Sequence, residues 1–223
     1  MELPVRRKRG RPPRRLDGGL ETRQALVRAG VALLTEQGFC ATGIDEVLSR
    51  VGVPKGSFYH YFTSKEAFGA ELIDSYATYF DHKLQRWLGD RRRPAVQRLG
   101  DFMADARRGM ERHGYRRGCL VGNLGQEMAS LPDAYRARLI EVLLGWQARV
   151  QRCLEEARED GELADDRDCA QLAAFFWIGW EGAVLRAKLE QRAAPLDCFA
   201  QGFVALLGTP RPGADLSALT REG

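Results

Sequence analysis

Residues 42–66 read Thr42-Gly43-Ile44-Asp45-Glu46-Val47-Leu48-Ser49-Arg50-Val51-Gly52-Val53-Pro54-Lys55-Gly56-Ser57-Phe58-Tyr59-His60-Tyr61-Phe62-Thr63-Ser64-Lys65-Glu66, and their punctuation decides the fold. Thr42 can cap a helix, with Asp45 three residues on in a capping-box-like arrangement. That helix is short, Asp45 to Arg50, and ends at Val51-Gly52-Val53. Proline is tolerated in a first helical turn, so Pro54 opens a third short helix running to about Tyr61. Two short helices joined by a tight, glycine-containing turn predict a helix-turn-helix. On the second of them Phe58 and Phe62 lie four residues apart and anchor the core side, with Tyr61 close to that face. Lys55, Ser57, Tyr59 and His60 are left outward as hydrogen-bonding groups. Gly56 removes a side chain where backbone must come close to something. Such a helix start suits insertion into a DNA major groove.

Helical periodicity extends from this block in both directions. A first helix is expected from about Glu21 to Gln37, with Ala25, Leu26, Ala29, Leu33 and Leu34 at helical spacing and Gly38 as its stop. Ser64 can cap a long helix whose apolar stripe runs through Phe68, Leu72, Tyr76, Phe80, Leu84 and Trp87-Leu88. Further helices are predicted over Pro94–His113, Cys119–Ser130, Asp133–Asp160, Asp168–Arg192 and Leu196–Leu207. Gly114, Pro132, Gly161 and Pro195 supply the breaks. The fold class is therefore all-α, a helix-turn-helix three-helix domain followed by a larger helical domain. The expected division is a disordered basic arm over 1–18, the helix-turn-helix domain over 19–66, a helical ligand-binding and dimerisation domain over 67–208 and a flexible tail over 209–223.

Charge is unevenly spread along the 223 residues, whose net charge is +4. Residues 1–15 carry seven Lys or Arg against one acid, so the remainder is close to neutral. A Pro/Gly-broken basic arm suits a polyanion, nucleic acid before an anionic membrane. Within it Arg9-Gly10-Arg11-Pro12 has the form of an AT-hook core, two arginines able to enter a narrow A·T-rich minor groove; a basic tail touching only phosphates is the alternative. No apolar run is long enough for a membrane span and no signal peptide is visible, which points to a cytoplasmic protein. Five cysteines without a CxxC pair argue against a disulfide framework or a zinc site. No metal or cofactor is implied.

The block from Gly52 to Glu66, with Thr42 to Val47 before it, closely resembles the DNA-binding domain of TetR-family repressors. The resemblance spans about residues 21–66 and implies an all-helical homodimer with an N-terminal reading head and a C-terminal effector domain. By that likeness Thr42 and Lys65 would hold phosphates, while Lys55, Gly56, Ser57, Tyr59 and His60 would face the groove or its walls.

Cys119 follows Arg116-Arg117-Gly118 and opens a predicted helix, so two guanidinium groups and the helix dipole are expected to favour its thiolate. Cys153 and Cys198 read as packing residues. The predicted helix 168–192 is apolar nearly all round, which calls for a partner subunit. Gly179, Gly182, Ala183 and Ala187 would form its small-residue seam, with helix 133–160 as second interface helix. Glu181 has two readings: an acid paired with Arg186 or Arg117, or part of a pocket in which Trp177 and Trp180 enclose a ligand oriented by Glu181, Asn123 and Gln126.

Arg117–Met128 and Phe176–Ala183 resemble effector domains of acrylate-responsive and electrophile-sensing TetR-family repressors. That likeness implies a small reactive or anionic inducer such as acrylate, a quinone or an aldehyde. The reading is a non-enzymatic, homodimeric repressor that leaves operator DNA when such a ligand binds. Two other classes stay open: an enzyme using Cys119 on electrophiles, poorly served by three histidines, and an architectural DNA binder without an effector.

Overall fold

A computed structural model describes residues 17–208, and among them every regular element is helical. The readings of the basic arm, with Arg9 and Arg11, and of the tail over 209–223 lie outside the described residues. Helix α1 (Asp17–Gln37) ends at Gly38, whose φ of 81° is the left-handed stop that glycine permits. Helix α2 (Ile44–Val51) has Gly43 as its N-cap, so Thr42 does not cap it. Thr42 is buried instead, and its hydroxyl donates to the Gly38 carbonyl at 2.6 Å, tying the turn before the helix.

Pro54 also stands one residue outside the element it was expected to begin. It is the N-cap of a 3₁₀ helix, Lys55–His60, rather than the first residue of an α-helix. The segment is six residues long, holds Gly56 and buries only Phe58, which gives little to stabilise a full α-helical turn. Phe58 is fully enclosed between the rings of Phe62 and Phe68, at 5.3 and 5.4 Å. The next helix, α3 (Lys65–Leu88), starts where Ser64 accepts a hydrogen bond from the Ala67 N–H at 3.0 Å. This one helix carries the helix-turn-helix into the rest of the molecule.

The remaining helices are α4 (Ala95–Arg112), α5 (Leu120–Gln126), α6 (Asp133–Glu159), α7 (Cys169–Glu190) and α8 (Ala194–Leu207). Helix α5 is shorter than its sequence suggests, giving way to a 3₁₀ turn over Met128–Ser130. Pro195 lies in the first turn of α8 rather than in a break before it. Helix α6 packs on α3, α4 and α7, and α8 covers α4 and α7. Their shared core is aromatic: Trp146 lies 4.3 Å from Phe80 and 5.1 Å from Trp177, ring centre to ring centre. Buried Glu162 accepts the Ala95 and Val96 N–H groups at 2.7 and 3.0 Å, satisfying the free start of α4.

Helix α7 is covered on one side by its own chain, and this corrects the seam expected from sequence. Ala183 and Ala187 are buried within the protomer, and a Cβ on Gly179 would meet the Phe199 ring at 2.3 Å. These small residues bring neighbouring helices, α8 among them, close to α7. Only Gly182 faces open space. Helix α6 buries Tyr135, Leu139, Val142, Trp146, Val150 and Leu154 within the protomer and leaves Ile140 and Leu144 exposed on its other side. The uncovered apolar face of α7 is Phe175, Ile178, Leu185 and Leu189. Beside it α8 exposes Cys198, Gly202, Ala205 and Leu206, so Cys198 is not a packing residue.

Candidate functional site

Two surfaces carry chemistry, and α1 touches both. At the helix-turn-helix, Phe58 and Phe62 turn inward and force their neighbours out: Lys55, Gly56 and His60 are exposed, Tyr59 is 69% exposed and Ser57 is half-buried. A Cβ on Gly56 would meet nothing within the chain, so the close approach it permits is toward something outside. Lys55 pairs with Asp45 at 2.6 Å, across an exposed gap that a phosphate can compete for. Lys65 lies 4.6 Å from the centre of the Phe39 ring, which steers its ammonium at the start of α3. The Thr42 hydroxyl is engaged with Gly38, as described above.

The second surface is a cavity of about 410 Å³ among α1, α3, α4, α7 and the segment before α5. Helix α1 supplies Arg28, Val31, Ala32 and Thr35; α3 supplies Tyr76, Tyr79, Phe80 and Lys83. Arg112, His113 and Arg117 stand along one side, and Cys119, Trp180, Glu181 and Val184 close another. Partial burial, and then the charges of Arg117 and Arg112, hold the His113 imidazole below its usual pKa. Arg28 and Arg112 form no ion pair among the described residues, whereas Lys83 is paired with Asp105 at 2.9 Å. The cavity is thus apolar and aromatic within and positive along its rim.

Cys119, Trp180 and Glu181 meet here as the sequence suggested, while Trp177, Asn123 and Gln126 do not line this cavity. The Trp177 ring turns toward Trp146 and Phe80. The Asn123 amide donates to the Leu34 and Thr35 carbonyls at 2.8 and 3.1 Å, and Gln126 is exposed. Sequence reasoning missed Tyr76, Lys83 and His113. Tyr76 reads as one more rung of a core stripe, and only tertiary packing brings it to Cys119.

Cys119 also departs from expectation in its chemistry. Burial raises its thiol pKa well above the usual value, and the Glu181 carboxylate raises it further. Arg117, expected to favour the thiolate, is bound to Glu36 at 2.9 Å. Glu181 pairs with neither Arg117 nor Arg186, which holds Glu190. Part of its surface opens into the cavity, and burial pushes its pKa up to about 7 although the neighbouring Cys119 thiol acts to lower it. Gly122 makes room for this acid, since a Cβ there would lie 2.3 Å from the Glu181 carboxylate oxygen. Burial raises the Tyr76 pKa as well, and Cys119 and Glu181 beside it add to the rise.

Residues 26–72 match the model for bacterial regulatory proteins of the tetR family, and residues 95–203 match a tetracyclin repressor-like C-terminal domain. The chain is 51% identical over 201 residues to the transcriptional regulator AcuR of Cereibacter sphaeroides, covering 90% of this chain and 91% of that one. The chain belongs to the tetR family. It is 30% identical to the transcriptional repressor NemR of Escherichia coli K12, over 85% of this chain and 96% of NemR. A crystal structure of a TetR regulatory protein from Rhodobacter sphaeroides superposes with a TM-score of 0.81 at 52% identity, covering 82% and 97% of the two chains. Membership makes this a helix-turn-helix transcriptional regulator, and among the described residues no helix is long and apolar enough to cross a membrane.

The raised Glu181 pKa fixes the sign of one pH dependence. The folded state holds this proton more tightly than the unfolded chain does. Glu181 therefore leaves stability intact below the ordinary carboxylate range and removes it as pH rises through about 7. At about 1.4 kcal/mol per pK unit the loss is roughly 3 kcal/mol. Glu181→Gln should be more stable than wild type at pH 8 by a figure of that order, with the difference vanishing near pH 4, as read by urea denaturation. Parallel stability curves for the two proteins would show that Glu181 is not held neutral by the fold.

Proposed function

We propose that the protein is a homodimeric repressor that leaves its operator when a small carboxylate or electrophile of the acrylate type occupies the cavity. The observation that supports this best is the shared wall. Arg28, Val31, Ala32 and Thr35 of α1 line the cavity, and α1 is also the helix against which α2 of the helix-turn-helix packs. A ligand that favours one position of α1 shifts the reading head by that difference in affinity, and operator binding shifts ligand affinity equally in return. Arg28 and Arg112 suit a carboxylate at the mouth, and Tyr76, Phe80 and Trp180 suit a short unsaturated chain inside.

The dimer would form on the open face of α7 and α8. Ile178 and Leu189 are 76% and 80% exposed on an otherwise apolar helix, the kind of surface a second copy covers. Two heads must meet major grooves about 34 Å apart, so a modest rotation of each head spoils the fit. In this reading Lys55, Gly56, Ser57, Tyr59 and His60 face the groove, and Lys65 together with the turn at Thr42 meets phosphates. Arg9 and Arg11 would add contacts from the arm.

Fluorescence anisotropy on a duplex from the protein's own upstream region should show tight binding that acrylate reverses. Binding indifferent to acrylate and to other small electrophiles would instead favour an architectural role. Tyr59→Ala should weaken operator binding by about 1–3 kcal/mol with helicity unchanged; wild-type affinity would remove Tyr59 from the groove. Ile178→Glu would place an unpaired charge in a buried seam, which costs several kcal/mol, and should shift sedimentation to the monomer. A stable Ile178→Glu dimer would move the interface off α7.

A further inference from the structure

A buried thiol with a raised pKa is a poor nucleophile, yet Cys119 is the thiol that faces the cavity. Its surroundings resolve this tension. The sulfur accepts a hydrogen bond from the Gly122 N–H at 3.5 Å; Tyr76 and Glu181 line the same cavity, and a Cβ on Gly122 would meet both the Glu181 carboxylate and the Cys119 side chain, so acid and thiol are neighbours. A donor on the sulfur, a hydroxyl beside it and a carboxylate next to the thiol form the arrangement of an activated nucleophile. We infer that Glu181 is the general base for covalent capture of α,β-unsaturated carbonyl ligands by Cys119, with Tyr76 and the Gly122 N–H holding the charge that develops on sulfur. This inference rests on the electrophile reading of the cavity given above.

The step balances without a co-reactant. Glu181 takes the thiol proton as a sulfur lone pair bonds to the β-carbon of the acceptor. The C=C π pair moves toward the carbonyl as an enolate, and the α-carbon then receives the proton back from the Glu181 carboxylic acid. The product is a thioether, the S–H having added across the double bond. Nothing is oxidised and nothing leaves.

Glu181 is free to serve because no cation among the described residues pairs with it. Tyr76 from α3 and Cys119 at the cap of α5 are its titratable neighbours. Arg117 before α5 is held by Glu36, Lys83 of α3 by Asp105, and Lys188 of α7 donates to the Thr35 carbonyl and to Asn123. Arg28, Arg112 and His113 line the same cavity, and none forms an ion pair with Glu181. With a carboxyl that titrates near 7, the fraction present as base changes across neutral pH.

The test is residue-specific alkylation by acrylamide, an uncharged α,β-unsaturated amide, followed by peptide mapping of the full chain. Exposed Cys40, away from the proposed dimer face, acts as the internal reference. Two roles for Glu181 predict opposite results. A carboxylate acting only through its charge holds the proton on Cys119, so Glu181→Gln would speed alkylation. A general base is lost in the same variant, so Cys119 should slow by about 10²-fold or more at pH 7.5 while Cys40 keeps its rate. The wild-type Cys119 rate should rise to a plateau above about pH 7, whereas the Glu181→Gln rate should climb only toward alkaline pH. Glu181→Asp, which keeps a carboxylate, should recover part of the rate. Since glutamine relieves a buried charge, the variant is expected to fold. An equal or faster Cys119 rate in Glu181→Gln, or no Cys119 adduct in wild type, overturns the inference. Operator release measured in parallel separates it from the repressor reading. Release by acrylate with unmodified Cys119 keeps the ligand-responsive repressor and overturns covalent capture; a Glu181-dependent adduct without release does the reverse.

Discussion

The last turn of α1 ends on carbonyls that its own helix cannot satisfy, and the effector half of the molecule satisfies them. The Thr35 carbonyl draws the Gly118 N–H at 2.9 Å, the Asn123 amide at 3.1 Å and the Lys188 ammonium at 3.3 Å. One step on, the Glu127 carboxylate accepts the Phe39 and Cys40 N–H groups at 2.8 and 3.2 Å. Gly38 lies between them in a left-handed conformation, where a Cβ would strike that carboxylate at 2.1 Å. Orphan groups at a helix end must find partners. Here the partners come from α5, α7 and the chain between α4 and α5, so the end of α1 cannot move without breaking bonds to all three.

This junction gives the cavity its leverage. Helix α1 enters the cavity wall at Arg28 and reaches the junction less than three turns later, as one rigid rod. Glu36 adds a further tie by binding both Arg50 of α2 and Arg117 at 2.9 Å, so one carboxylate spans the head and the cavity wall. A packed junction of this kind has few intermediate arrangements. It converts small displacements into discrete ones rather than absorbing them. Bonds to charged groups matter more here than their number suggests, because a partner left unsatisfied in a buried position is worse than one never supplied.

Local signals made much of this molecule legible, and the gaps fall where tertiary partners decide. Gly38, Ser64, Gly114 and Gly161 mark their boundaries because a left-handed glycine or a side-chain cap is a property of a few consecutive residues. Thr42 carries the same kind of signal yet is turned inward, its hydroxyl donating to the Gly38 carbonyl instead of accepting from the N–H groups of the helix it precedes. The apolar girth of α7 predicts burial on all sides; the protomer covers one of them, and periodicity cannot say which. Gly179 and Ala183 accordingly belong to the protomer's own packing, and the open face is the one bearing Ile178. The ligand cavity shows the limit most clearly. Cys119, Trp180 and Glu181 stand out as chemistry in an apolar setting, whereas Tyr76 lies far away in sequence and joins them only through the fold.

Arg117 explains why the electrostatic argument for Cys119 fails and what replaces it. Adjacency in sequence places two guanidinium groups beside the thiol, but each side chain follows the strongest partner within reach. For Arg117 that partner is Glu36, part of the junction rather than of the cavity. A thiolate fixed by arginines would react with any electrophile that entered. A thiol kept protonated by burial is inert toward small oxidants and passing alkylators, while Cys40 stays exposed to them. Reaction at such a thiol requires a ligand that fits the cavity and stays long enough for a neighbouring acid to take the proton. Selectivity then resides in the aromatic walls and cationic rim, and the same α1 residues that help the walls select a ligand lead directly to the helix-turn-helix.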